Sequence, residues 1–173
     1  MSEITELVEQ LSDLDKTKRM RALDSLATLD KSEILSEVDI PAPNGSVNLH
    51  VHSFFSYNAK GWSPERIAWE MLTKGVERLG VVEFDVLDHL EEALEAGRRF
   101  NIKTVVGIET RTFVPELADR EINSPGEKGI AYAMGHAITA LPEKGSLPYY
   151  ALKNYHAMAQ ERNRTVMERV NEH

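Results

Sequence analysis

The sequence predicts an α/β protein in which a helical N-terminal segment leads into parallel βα units. Short β-branched apolar runs, Leu79-Gly80-Val81-Val82 and Thr104-Val105-Val106-Gly107-Ile108, alternate with stretches whose apolar residues recur every three or four positions. Pro41-Ala42-Pro43-Asn44-Gly45 breaks the chain between the purely helical pattern before it and the alternation after it. Polar residues at i, i+2 spacing close three of the apolar runs, where βα folds collect their chemistry.

With 173 residues the chain can bury one sizeable core. Its formal charge of −8 argues against broad contact with nucleic acid or a membrane surface, which leaves a basic footprint. Cysteine is absent, so disulfides and thiolate zinc sites are excluded and a metal centre must use His, Asp or Glu. No apolar run approaches the roughly 20 residues of a membrane-spanning helix, and the acidic, amphipathic start has no signal-peptide core. A cytoplasmic location is the resulting expectation.

Residues 2–38 read as helical. Ser2 suits an N-cap, Glu3 and Glu6 suit the positive end of the helix dipole, and Ile4, Leu7, Val8, Leu11 and Leu14 follow helical spacing. Thr5 stands where a capping box needs Glu or Gln. A second amphipathic run carries Met20, Leu23, Leu26 and Leu29, and Asp30 with Glu33 introduces a short third helix. A first strand runs from Val47 to His52. Ser63-Pro64 opens the next helix, with Ser63 as N-cap and Pro64 at the first helical position, and this helix ends near Gly75. The strand within 76–85, a helix from about Asp88 to Phe100 and the strand 103–111 follow. Residues 113–129, with Pro115, Pro125, Gly126 and Gly129, predict a long loop. A fourth strand is expected over 130–140, then a long helix through Leu152, Tyr155, Val166 and Val170.

The first strand ends in His50 and His52, the second in Glu83 and Asp85, the third in Glu109 and Arg111. Side chains at i and i+2 of a strand leave by one face, so each pair can point into a shared polar site. Two imidazoles on one strand can share a metal ion. A carboxylate in such a place also serves as a cap or salt-bridge partner of the next helix. His89 reads as a surface or capping residue, and His156 as structural.

These residues resemble the motifs of the PHP (polymerase and histidinol phosphatase) family of metal-dependent phosphoesterases. NLHVHSFFSYN resembles its first motif, and GVERLGVVEFDVLDHLEEALEAG the region where the family carries Thr-Asp-His-Asp. VVGIETR resembles the strand bearing a metal-bridging glutamate, and AYAMGHAI the region supplying a further histidine. The resemblance covers roughly residues 44–173.

It implies a distorted (β/α)7 TIM-like barrel with a cluster of two or three zinc, manganese or iron ions. On that reading His50, His52, Glu109 and His136 are ligands, and Glu83 or Asp85 can add an oxygen ligand. Arg111 is either a clamp for a phosphate oxygen or a surface salt-bridge partner. The implied activity is hydrolysis of a small phosphorylated substrate by metal-activated water. The sequence departs from the family pattern at Phe84, which replaces a histidine, and near Tyr57 and Asn58, where no third histidine follows. The barrel's later motifs are not found. Residues 1–40 are therefore expected to be a helical segment and 44–173 the N-terminal part of the barrel domain, about four strands. The exposed sheet edges of such a partial barrel invite association between copies. The alternative is a non-catalytic module that keeps the fold for binding a metal or a partner.

Overall fold

The computed structural model describes residues 1–56 and 58–172, the side chain of Lys31 excepted; Tyr57 and His173 lie outside the described residues, and so do the sequence readings made at them. The helical segment forms α1 (Glu3–Gln10), α2 (Lys16–Thr28) and α3 (Lys31–Glu37). Each helix opens on a side-chain oxygen that accepts an otherwise orphaned amide. Ser2 Oγ takes the Thr5 N–H at 3.3 Å, Asp15 that of Thr17 at 2.8 Å, and Asp30 that of Ser32 at 2.8 Å.

Strands β1 (Val47–Val51), β2 (Arg78–Phe84), β3 (Lys103–Phe113) and β4 (Ile130–His136) form a sheet in sequence order among the described residues. Helices α4 (Pro64–Leu72) and α5 (Leu90–Arg99) cross over between the first three strands, which pair in parallel as predicted. Ser63 caps α4 by accepting the Arg66 N–H at 3.0 Å, and Gly75 (φ +66°) closes the turn after it. The long helix α6 (Leu147–Asn171) buries none of its residues. No helix among the described residues is long and apolar enough to cross a membrane.

Strand β4 departs from the parallel expectation. It runs antiparallel to β3, with Phe113 opposite Ile130 and Gly107 opposite His136. Parallel pairing needs a crossover element, and residues 114–129 supply only the 3-10 turn Pro115–Leu117, so the chain doubles back. The strand also ends earlier than the predicted Ala140, because Ala137 takes a left-handed conformation (φ +64°).

One face of the sheet is packed. Leu79, Val81 and Val106 meet Ile67 and Ala68 of α4, Ala93 and Ala96 of α5, and Leu23 and Leu26 of α2 in one core. The N-terminal helices thus share the core of the first βα units. The other face is open, and the mixed α/β sheet curls towards it as half a barrel. β1 closes tightly on β2: a Cβ at Gly80 would lie 2.5 Å from the Leu49 carbonyl oxygen. Its register slips between Asn48 and Val51, the stretch that carries His50. Such an irregularity re-aims side chains locally.

Candidate metal centre

Glu109 lies opposite Phe84 in the β2–β3 ladder, and opposed residues project from the same face. His52 shares that face, its ring stacked on Phe84 with centroids 4.4 Å apart. β1 and β3 are two strand spacings apart, roughly 9–10 Å. Only on the inside of a curled sheet do side chains from such strands meet. His50 Nε2 lies 3.0 Å from Glu109 Oε2, His52 Nε2 lies 3.1 Å from the same oxygen, and the two Nε2 atoms are 3.1 Å apart. Among the described residues, His50, His52 and Glu109 form a group able to hold a metal ion.

The donor set fits a divalent cation. Ligand atoms 2.0–2.2 Å from one ion stand about 2.8–3.6 Å from each other, from octahedral to tetrahedral geometry, a range that includes the spacing found here. Without a cation the three atoms are poorly matched. Each ring nitrogen holds at most one proton, and if both rings donate to Glu109 the N···N contact sets donor against donor. Three protein ligands leave coordination positions free, as catalytic sites do, whereas structural zinc sites are closed by four.

Burial pushes the His52 imidazole below its ordinary pKa, with Glu109 opposing and His50 adding to the shift. The shift favours the neutral form, the state in which imidazole ligates. His50 is the exposed member and Glu109 the buried one, so the group sits at an edge open to solvent.

The remaining sequence-predicted residues take separate positions. His136 lies opposite Gly107 and shares the face of Glu109, one residue pair back along β3; it is exposed and outside the three-residue group. Glu83 is fully buried and directs its oxygens to Ser53 and Ser56. Burial raises its pKa, and the hydroxyl and amide donors of those serines oppose this. Asp85, in a left-handed conformation (φ +62°), accepts from Thr110 Oγ1 at 2.7 Å and from Arg162 at 3.3 Å. Arg111 is held by Glu127, while its Nε is buried without a partner.

The sequence reading missed Ser53 and Ser56, which tie the loop after β1 to β2. The available signal was the i, i+4 spacing of His52 and Ser56. It also missed Arg162, brought in by α6 from 77 residues beyond Asp85, which no local pattern could reveal. His89 is not a surface residue: it stands at the N-cap position of α5. It is completely buried, it makes no side-chain capping bond, and burial pushes its pKa down to about 4. His156 lies exposed on α6 and lines a cavity of about 490 Å³. Arg111, Arg162, Asp85, Tyr132 and Phe84 line the same cavity.

No family model matches the sequence, and no curated protein matches it. Among solved structures, the chain resembles a protein from Bifidobacterium adolescentis provisionally assigned as a metal-dependent phosphoesterase. The likeness has a TM-score of 0.37 and 19% identity over 42% of this chain and 24% of the other, so it spans about a quarter of that protein.

Proposed function

We propose that the chain is a metal-dependent phosphoesterase domain of PHP type, binding zinc, manganese or iron through His50, His52 and Glu109. The observation that carries this reading is the convergence of three ligand atoms from two non-adjacent strands to within 3.0–3.1 Å of one another. A divalent cation bound there would supply an activated water and draw charge from a phosphoryl oxygen. His50, His52 and Glu109 would hold the cation, and His50, the exposed member, keeps the group accessible to solvent. Arg111 stands two residues beyond Glu109, on the same face, and lines the neighbouring cavity. Its guanidinium suits a phosphoryl oxygen, with Glu127 as the exchangeable occupant of that position. The pair is partly exposed, and a phosphoryl group entering the cavity would displace Glu127 from it. Asp85 and Arg162 line the same cavity, and His136, on the face of Glu109, would be the candidate for a second position.

The experiment is hydrolysis of p-nitrophenyl phosphate and bis-p-nitrophenyl phosphate with added manganese or zinc, alongside metal analysis of the purified protein. The expected result is metal-dependent turnover that Glu109→Gln lowers by at least 100-fold. Absence of bound metal after incubation and dialysis sinks the reading. A second reading, a metal-binding module without catalysis, is favoured by Phe84, which caps one side of His52 with a side chain that cannot ligate. Tight metal binding with no hydrolysis of either ester would select it.

A further inference from the structure

Glu83 is completely buried on β2, beside the metal-binding group yet turned away from it. Its Oε1 accepts from the Ser53 N–H at 2.8 Å and from the Ser53 hydroxyl at 2.5 Å. Its Oε2 accepts from the Ser56 hydroxyl, and Ser56 Oγ also lies 3.1 Å from His52 Nδ1. A serine hydroxyl has one proton to give. A carboxylate is the stronger acceptor because its bond is charge-assisted, so Ser56 directs its proton to Glu83. The Ser56 oxygen is then free only to accept, and His52 Nδ1 must donate. A neutral imidazole protonated at Nδ1 carries its lone pair on Nε2. That is the atom 3.1 Å from both His50 Nε2 and Glu109 Oε2, so in the metal-free protein the proton between these three atoms must come from His50 Nε2, 3.0 Å from the same carboxylate oxygen.

We propose that Glu83, acting through Ser56, is a positioning residue that fixes His52 in the Nδ1–H tautomer and so presents the Nε2 lone pair to a divalent cation. The inference rests on the reading of His50, His52 and Glu109 as the metal group. Glu83 works from behind the ligand, where outer partners of ligating histidines set tautomer and ring orientation. A purely structural Glu83 would tie the loop after β1 to β2 and leave the ring's proton unassigned.

Glu83→Gln separates the two roles with almost no change in volume. Both donors of Ser53 hold the amide oxygen at the Oε1 position, so the amide nitrogen faces Ser56 and donates to it. Ser56 must then give its proton to His52 Nδ1, which inverts the ring to the Nε2–H tautomer. Ser56→Ala cuts the relay without touching the buried carboxyl, and it guards against misfolding of the first variant.

The readouts are long-range 1H–15N correlations of His52 in metal-free protein at pH 8 and calorimetric titration with zinc chloride. Wild type should show Nδ1 protonated, and Glu83→Gln should show Nε2 protonated. Both variants should bind zinc about 10–100-fold more weakly. Wild-type His52 protonated at Nε2 overturns the inference, as does a Glu83→Gln protein that folds and keeps both the tautomer and the affinity. A wild type with Nδ1–H that takes up no zinc supports the relay and overturns the metal reading instead.

Discussion

Two clusters of three ionisable side chains face opposite sides of the same sheet, and only one of them is complete. On the packed side, Arg19 of α2 is 3% exposed and donates to Glu92 at 2.6 Å and to Glu65 at 3.4 Å. Its remaining donors reach the carbonyl oxygens of Asp13 and Leu14 at 2.8 and 3.1 Å. Lys16 approaches Glu92 at 3.4 Å from the solvent side. That cluster brings its own cation. On the open side, His50, His52 and Glu109 bring lone pairs and a carboxylate to one point, and among the described residues no Arg or Lys pairs with them. The same residue chemistry is structural where the chain supplies the positive charge, and receptive where it leaves that charge to solvent.

The largest expected effect breaks the first cluster. Arg19→Met leaves Glu65 and Glu92 buried without their partner, and removing one member of a buried ion pair costs about 3–5 kcal/mol. Glu65 limits the loss, because burial and the neighbouring Glu92 already push its pKa up and it can take up a proton once Arg19 is gone. Urea unfolding at pH 7 measures it. A loss under about 1 kcal/mol would mean that the cluster is not what pins α2 to α4 and α5.

Much of this was readable in the sequence. The helices, their caps at Ser2, Asp30 and Ser63, the break before β1 and the three parallel strands all follow from local signals: spacing, capping oxygens, proline and glycine. The His50–His52–Glu109 group was readable too, because i, i+2 parity on strand ends is a local property once parallel order is inferred. The antiparallel turn of β4 was hidden, since it depends on a helix failing to form within 114–129. Nothing local singles out Arg19, one residue before the apolar run of α2. Its partners lie 46 and 73 residues away, and no local pattern marks a buried charge. His89 was misplaced for a related reason: its position at the start of α5 suggested a cap, whereas the packing of α5 on β2 buries it, with Nε2 3.3 Å from the Val81 oxygen.

The second effect compares a closed histidine with the open ones. His89 is buried and its pKa falls to about 4, against the ordinary 6.5, with Asp88 and Glu92 only partly offsetting the burial. The folded value lies below the unfolded one, so in this window the unfolded chain binds more protons and stability falls as pH falls. Nothing is lost above pH 6.5, and the loss is complete below about pH 4. Its size is about 3 kcal/mol, from roughly 1.4 kcal/mol per unit. Urea unfolding of wild type and His89→Phe at pH 7.5 and 4.5 isolates it, because the other acidic groups titrate alike in both proteins. The variant should lose markedly less stability on acidification. Parallel losses would show that His89 is reached by water in the folded state.

The smallest effect sharpens the contrast, because it appears only when a divalent cation is added. An ion that binds the folded chain alone stabilises it by about 2.7 kcal/mol at one hundred times its dissociation constant. For a chain of this size that corresponds to about 5–10 °C in melting temperature. His50 has a side chain 46% exposed, so His50→Ala should change the metal-free melting temperature little, within about 0.5 kcal/mol. The same substitution should erase the rise that zinc or manganese gives to wild type, while Arg19→Met should lower the melting temperature by a similar amount with metal or with chelator. A complete cluster fails without regard to solvent ions, and a receptive one fails only against them. If His50→Ala lowers the chelated protein's melting temperature as much as the metal-loaded protein's, the open cluster holds the sheet together by its own contacts, and the distinction between the two faces disappears.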